Sequence, residues 1–319
     1  MMEPQIADFS QRQQLPQKFP KNRETGSPLG HLMPNSGMPS NTLSLLGFSL
    51  LSLVEPTTLL VREVSASELM PRFRRVAAER KHDGTVVTEA DRAVESALAA
   101  VLPQIADCPV LGEEMDPVEQ QHLWQHAEWF WCVDPLDGTV NYAAGRKYFG
   151  ISVALMHRRR SVFGLVYDPN LDELFFATQN GGATVVEKSG AAHKLKPQPA
   201  VSLGEARLEI GRVKRLGRLQ SALRAKSPCR KVGQSGASVL QWCHLATGRI
   251  DIFLHAGERP WDYAAGALIL EEAGGRVATL DHDDYWRTHD ADAMWEQSVV
   301  AARHPRLFDE WKSWVRMHY

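Results

Sequence analysis

The chain has 319 residues, 44% of them hydrophobic and 23% charged. That is enough apolar material for a large core and for two domains, and it excludes a low-complexity chain. A formal net charge of -2 offers no general attraction to nucleic acid or to an anionic membrane, so any anion must be recognised locally.

Residues 1 to about 40 are rich in Gln, Pro, Asn and Ser and carry no sustained hydrophobic period, the pattern of a disordered tail. The longest apolar run, Leu43 to Val54, is shorter than the roughly 20 residues a bilayer crossing needs. Glu55-Pro56 follows where a signal cleavage site would want small residues. The expectation there is a surface or packing helix. From Thr57 a helical period begins (Leu60, Val64, then Phe73, Val76 and Ala77), with Pro71 placed to kink or split it. Lys81 to Thr85 reads as a turn. Thr88-Glu89-Ala90-Asp91 then precedes the apolar period of Val94, Ala97, Leu98, Val101 and Leu102, with the spacing of a capping box. Taken alone, Asp91 is a helix cap. Val110-Leu111-Gly112-Glu113-Glu114 is a short strand ending in glycine and acids.

The run from Trp129 to Val133 has the length and composition of an interior strand, and Pro135 and Gly138 are expected to stop it. Asp134 and Asp137, three apart on the turn, can direct their oxygens to one point. The N–H groups of Gly138 and Thr139 open the next helix and attract an anion. A phosphatase that forms an aspartyl-phosphate is excluded, because its nucleophile would fall on Pro135. An EF-hand is excluded by the lack of acids at alternate positions.

Alternation then predicts an antiparallel sheet from Ile151–Met156, Ser161–Tyr167, Leu174–Ala177 and Ala183–Glu187, with Arg158-Arg159-Arg160 as a solvated turn. Residues 188–204, with Pro197, Pro199 and Gly204, suggest a boundary between 41–196 and an α/β domain at 197–319. In that second half the pattern gives strands at 208–210, 250–254, 276–279 and 298–302. Helices are expected at 213–223, 238–246, 262–273 and from Pro305. No internal repeat is evident. Cys108, Cys132, Cys229 and Cys243 contain no C-x-x-C pair, which suits buried thiols in a reducing cytoplasm better than structural zinc.

Four separated motifs carry a resemblance: Lys81 through Val87-Thr88-Glu89-Ala90-Asp91, Gly112-Glu113-Glu114, Asp134-Pro135-Leu136-Asp137-Gly138-Thr139, and Pro260-Trp261-Asp262-Tyr263-Ala264-Ala265-Gly266. In this order they resemble the inositol monophosphatase family of magnesium-dependent, lithium-sensitive phosphatases, over about Leu59 to Trp314. The resemblance implies a five-layer αβαβα sandwich, with an antiparallel sheet in the first half and an α/β second half. It implies that Glu113, Asp134, Asp137 and Asp262 give carboxylates to two or three Mg²⁺ ions, Mn²⁺ being an alternative, with Leu136 adding its carbonyl. Asp91 and Thr139 would orient the attacking water and Glu113 would help deprotonate it, while Gly138 and Thr139 receive the phosphate.

The acids alone argue the same way. Two carboxylates about 5 Å apart repel by roughly 3 kcal/mol at an effective dielectric near 20, and an all-oxygen set selects Mg²⁺ or Mn²⁺ over zinc. One departure concerns the substrate. Inositol-specific members place a Glu seven residues before the last metal Asp, and here that position is His255. An imidazole there either reads substrate hydroxyls weakly or packs at the strand end. Ser238 is either a substrate contact or a helix N-cap, and Glu258 and Arg259 face either the pocket or solvent. The leading expectation is a cytoplasmic hydrolase, possible as a homodimer, acting on a small phosphorylated metabolite such as an inositol monophosphate, with no nucleic-acid or membrane partner. The alternatives are histidinol phosphate, fructose bisphosphate or a bisphosphate nucleotide as substrate, and, in another class, a binding or regulatory protein on the phosphatase scaffold without turnover.

Overall fold

The computed structural model describes residues 49–75, 78–80, 86–212 and 216–319. The expected tail, the turn containing Lys81 and the expected helix start at Val213 lie outside the described residues. The helices are α1 (Val54–Val64), α2 (Glu89–Ile105), α3 (Pro117–His126), α4 (Thr139–Ala143), α5 (Gly217–Ala225), α6 (Ser238–Ala246), α7 (Pro260–Glu272), α8 (Ala291–Trp295) and α9 (Pro305–His318). A short antiparallel pair, β1 (Ala78–Arg80) and β2 (Val86–Thr88), precedes α2.

Seven strands form the first sheet in sequence order: β3 (Val110–Gly112), β4 (Trp129–Asp137), β5 (Gly150–His157), β6 (Arg160–Asp168), β7 (Glu173–Thr178), β8 (Gly182–Val186) and β9 (Ala192–Lys194). All neighbours are antiparallel except β3 and β4. Strand β4 is buried on both faces, which is why its sequence is a continuous apolar run rather than an alternation. Trp131 and Val133 join the cluster under α1 and α2, whereas Phe130 and Cys132 join the cluster under α6 and α7.

The second sheet has the order β11 (Lys231–Gly233), β10 (Arg207–Ile210), β12 (Ile252–Glu258), β14 (Gln297–Ala302), β13 (Arg276–Ala278). Its first three strands are parallel and β14 is antiparallel to both neighbours. Leu219 and Leu223 of α5 and Trp311 and Val315 of α9 pack with Ile252, Leu254 and Val300 on one face. Phe253, Val299 and Ala301 on the other face join the α6–α7 cluster. The stack is therefore α1–α2, seven strands, α6–α7, five strands, α5–α9: the five-layer α/β sandwich the resemblance implied. All described residues belong to one compact unit.

Helix α7 is the central layer, and ten of its thirteen residues are buried, as a helix covered by a sheet on either side must be. It approaches β6 backbone to backbone, since a Cβ on Gly164 would stand 2.8 Å from Ala265 Cα. Several boundaries move. Strand β4 continues past Pro135 to Asp137, and β12 past Leu254 to Glu258. Helix α5 begins at Gly217, and α7 at Pro260 because proline suits a first turn whose N–H groups are unpaired anyway. Pro71 does not kink a longer helix; it sits in the 3-10 turn Met70–Arg72 that ends the first one.

Candidate active site

Two β-bulges build the site. In β4, Asp134 faces Ser152 and Asp137 faces Gly150, so two residues of β4 oppose one of β5. The extra residue brings Asp137 back to the side of Asp134, the face covered by α6 and α7. Leu136 turns to the other face and is buried beneath α1 and α2. Proline is tolerated because the ladder is already broken at the bulge. Asp134 Oδ1 accepts the Leu136 N–H at 3.0 Å, tightening the turn. Gly138 ends it with φ at +90°, where a Cβ would also lie 2.9 Å from the Tyr148 carbonyl, so glycine is required twice over.

Thr139, the next residue, links this turn to the first half of the chain. Its Oγ donates to Asp91 Oδ1 at 3.1 Å and lies 2.9 Å from the Leu136 carbonyl. Asp91 is also the cap that its spacing suggested: its Oδ2 accepts from the Thr88 N–H and hydroxyl, both at 2.7 Å. One carboxyl thus caps α2 and holds the Thr139 hydroxyl. From the second half, the Val239 N–H in the first turn of α6 donates to Asp137 Oδ2 at 2.7 Å. Asp262, third residue of α7, accepts the Arg259 N–H at 2.8 Å. Glu113 follows β3, and Gln120 of α3 fixes that loop by donating to the carbonyls of Gly112 and Glu113 at 2.7 and 3.0 Å.

The carboxyls resist ionising together. Burial, and then the charges of Glu113, Asp137, Asp262 and Asp91, push Asp134 well above the usual carboxylate range. Burial and then Asp262 raise Asp137 to about 7, although the N–H groups of Val239 and Gly138 pull it down. Burial raises Asp91 to about 6 against the Thr88 bonds. Asp262 is raised by burial, with Arg212 and Arg259 as opposing positive charges. Among the described residues no three His, Cys, Asp or Glu side chains are drawn together as tightly as a bound ion would hold them. The donor set is nevertheless all oxygen, short of positive charge and oriented by backbone N–H groups, which fits a hard divalent cation.

Asp91, Glu113, Asp134, Leu136, Asp137, Gly138, Thr139 and Asp262 are thereby brought into one neighbourhood. The two expected substrate contacts are placed differently. Ser238 is not the N-cap of α6, which is Ala237; its hydroxyl donates to Glu258 Oε1. His255 is 6% exposed, and its ring lies against Gly211, where a Cβ would clash with His255 Cδ2. Its Nδ1 accepts the Gly257 N–H at 3.2 Å, and burial drives its pKa down to about 3. These are the contacts of the packing alternative.

Glu258 is the residue that sequence reasoning left undecided. It is fully buried, with Oε2 accepting the Trp242 Nε1–H at 3.1 Å. Burial, and then the charge of Asp262, push it well above the usual carboxylate range, against its bonds from Ser238 and Trp242.

Residues 55–313 match the model of the inositol monophosphatase family. The chain belongs to that family. Among the relatives of this inositol monophosphatase family member are an inositol-1-monophosphatase of Mesorhizobium japonicum, 34% identical over 203 residues, 63% of this chain and 74% of that one. The Nus factor SuhB of Pasteurella multocida is 32% identical over 207 residues, again 63% and 74%. A solved IMPase from Thermotoga maritima superposes with a TM-score of 0.68 at 25% identity, covering 83% of this chain and 96% of that one. No helix among the described residues is long and apolar enough to cross a membrane.

Proposed function

We propose that this family member hydrolyses a small, hydroxyl-rich phosphate monoester, an inositol monophosphate or a close analogue, with Mg²⁺ as cofactor. The observation that carries the reading is the Thr139–Asp91 hydrogen bond standing beside the buried Asp134 and the half-buried Asp137 and Asp262. The carboxylates of Glu113, Asp134, Asp137 and Asp262 and the Leu136 carbonyl would hold the ions. A divalent cation, when bound, supplies the charge that acidifies water and offsets the developing charge on the departing oxygen.

The chain's own groups do the rest. Thr139 spends its proton on Asp91, so a lone pair of Oγ can accept from the attacking water and fix its direction. Glu113 takes the proton the water loses. The N–H groups of Thr139 and of Gly138, the latter shared with Asp137, receive the phosphate oxygens; the water oxygen bonds to phosphorus, the ester P–O bond breaks in line, and the alcohol oxygen leaves with that electron pair and takes a proton from solvent. No covalent phosphoenzyme is needed. A second reading, a regulatory protein on the same scaffold, is favoured by the relative named as a Nus factor. Phosphate release from a panel of monoesters, with Mg²⁺ and in excess chelator, separates the two: the first reading expects Mg²⁺-dependent turnover and the second none.

A further inference from the structure

The bulge in β12 mirrors the one in β4. His255 faces Val299 and Glu258 faces Gln297, so Ala256 and Gly257 together oppose Ser298. Regular alternation would have put Glu258 on the face of Leu254, toward α5 and α9; the bulge turns it to the face of Phe253, toward α6. There it meets Ser238 and Trp242, one helical turn apart on α6 and therefore on one side of it.

We propose that Glu258 is a positioning residue: by gripping Ser238 and Trp242 it fixes the first turn of α6 against the end of β12, and so sets the separation of Asp137 and Asp262. The proposal rests on the reading of those two aspartates as ion-holding groups. Ser238, which Glu258 grips, directly precedes Val239, whose N–H holds Asp137 Oδ2. On the other side, Glu258 is separated from Asp262 only by Arg259, Pro260 and Trp261. The carboxyl is thus a bracket between the backbone that orients one acid and the backbone that carries the other. The segment that enters α6 is also tied to α4 and β10, by bonds that do not reach β12. Asn141 of α4 donates to the carbonyls of Ser235 and Gly236 at 2.9 and 3.3 Å, and the Ser235 N–H, the Ser235 hydroxyl and the Gln241 amide donate to Glu209 of β10 at 3.0, 2.7 and 3.2 Å. An apolar residue could fill the same space without the desolvation of an acid, but it could not hold a hydroxyl and an indole N–H at fixed directions.

The test measures Mn²⁺ binding to the full chain without substrate, from the electron paramagnetic resonance of the unbound ion, beside the melting temperature and the steady-state constants. Glu258→Ala should raise the Mn²⁺ dissociation constant about tenfold and raise the Mg²⁺ needed for half-maximal turnover in parallel, with KM for the ester changed less than about twofold. Glu258→Gln, which keeps an acceptor for Trp242 and an amide for Ser238, should recover most of the affinity. Ser238→Ala, the milder change, gives an intermediate rise and carries the test if Glu258→Ala does not fold. Lower melting temperatures with an unaltered Mn²⁺ constant in Glu258→Ala and Ser238→Ala would overturn the positioning role alone. A wild-type chain that takes up no Mn²⁺ would overturn the ion-holding reading beneath it.

Discussion

Replacing Thr139 by valine keeps the shape of the side chain and removes its hydroxyl, with the contacts to Asp91 at 3.1 Å and to the Leu136 carbonyl at 2.9 Å. Asp91 Oδ1 then loses a donor in a fully buried setting, which costs about 1–3 kcal/mol when nothing replaces it. The Thr88 bonds still hold Oδ2, so the lower end of that range applies, a fall of roughly 2–4 °C in melting temperature. The effect on turnover should be larger. A reacting group misplaced by about 1 Å can cost on the order of a hundredfold, and a hundredfold loss in kcat corresponds to roughly 2.7 kcal/mol. KM should change little, because the N–H groups proposed to receive the phosphate belong to the backbone. Thr139→Ser should restore most of the rate. The assay is phosphate release at saturating Mg²⁺, with thermal melting alongside. A Thr139→Val enzyme within threefold of the wild-type kcat would refute the role given to this hydroxyl.

Asp134→Asn and Asp262→Asn should each abolish Mg²⁺-dependent phosphate release, and the double variant should lose little more, because groups that act as a unit are not additive; independent, multiplying losses would separate them. His255 has its pKa depressed to about 3 by burial, so its stabilising share is complete above the unfolded value near 6.5 and is lost as pH falls toward 3. Urea unfolding should show wild type losing about 1.4 kcal/mol per pH unit below 6.5 relative to His255→Asn, and a pH-independent difference would count against it. Gly164→Ala should cost about 1–3 kcal/mol, since the new Cβ meets backbone of α7 rather than a movable side chain; an unchanged melting temperature would show that α7 can yield. Removing residues 1–40 should leave melting temperature and turnover nearly unchanged, as their composition has nothing with which to join a core; a large drop would show that the segment docks.

What could be read in advance followed from local signals. The five layers came from the family motifs, and the strand pattern agreed: β4 reads as buried on both faces, and the apolar runs between turns became the hairpins from β5 to β8, although β5, β6 and β7 are buried on both faces rather than alternating. The capping box at Thr88 is local as well, and so was legible. What escaped were events without local pattern. A bulge changes which face a residue takes without changing the residues, so the strand was expected to stop near Pro135, and Glu258 was left between pocket and solvent. Both carboxyls instead follow an extra residue that realigns them with α6 and α7. Helix α3 was missed because its sequence, Pro-Val-Glu-Gln-Gln-His-Leu-Trp-Gln-His, buries only Gln120 and Trp124, too few for a hydrophobic period. Ser238 stood where a cap would, yet its side chain found a partner twenty residues away, a contact that only the tertiary fold creates.

The most direct measurement is inorganic phosphate release by the purified chain from inositol monophosphate and a set of other small monoesters, once with Mg²⁺ and once with the ion chelated. Turnover should appear with Mg²⁺, disappear in chelator, and be lost in Asp134→Asn. Full activity in excess chelator, or no release from any ester with Mg²⁺ present, would contradict the proposed hydrolysis.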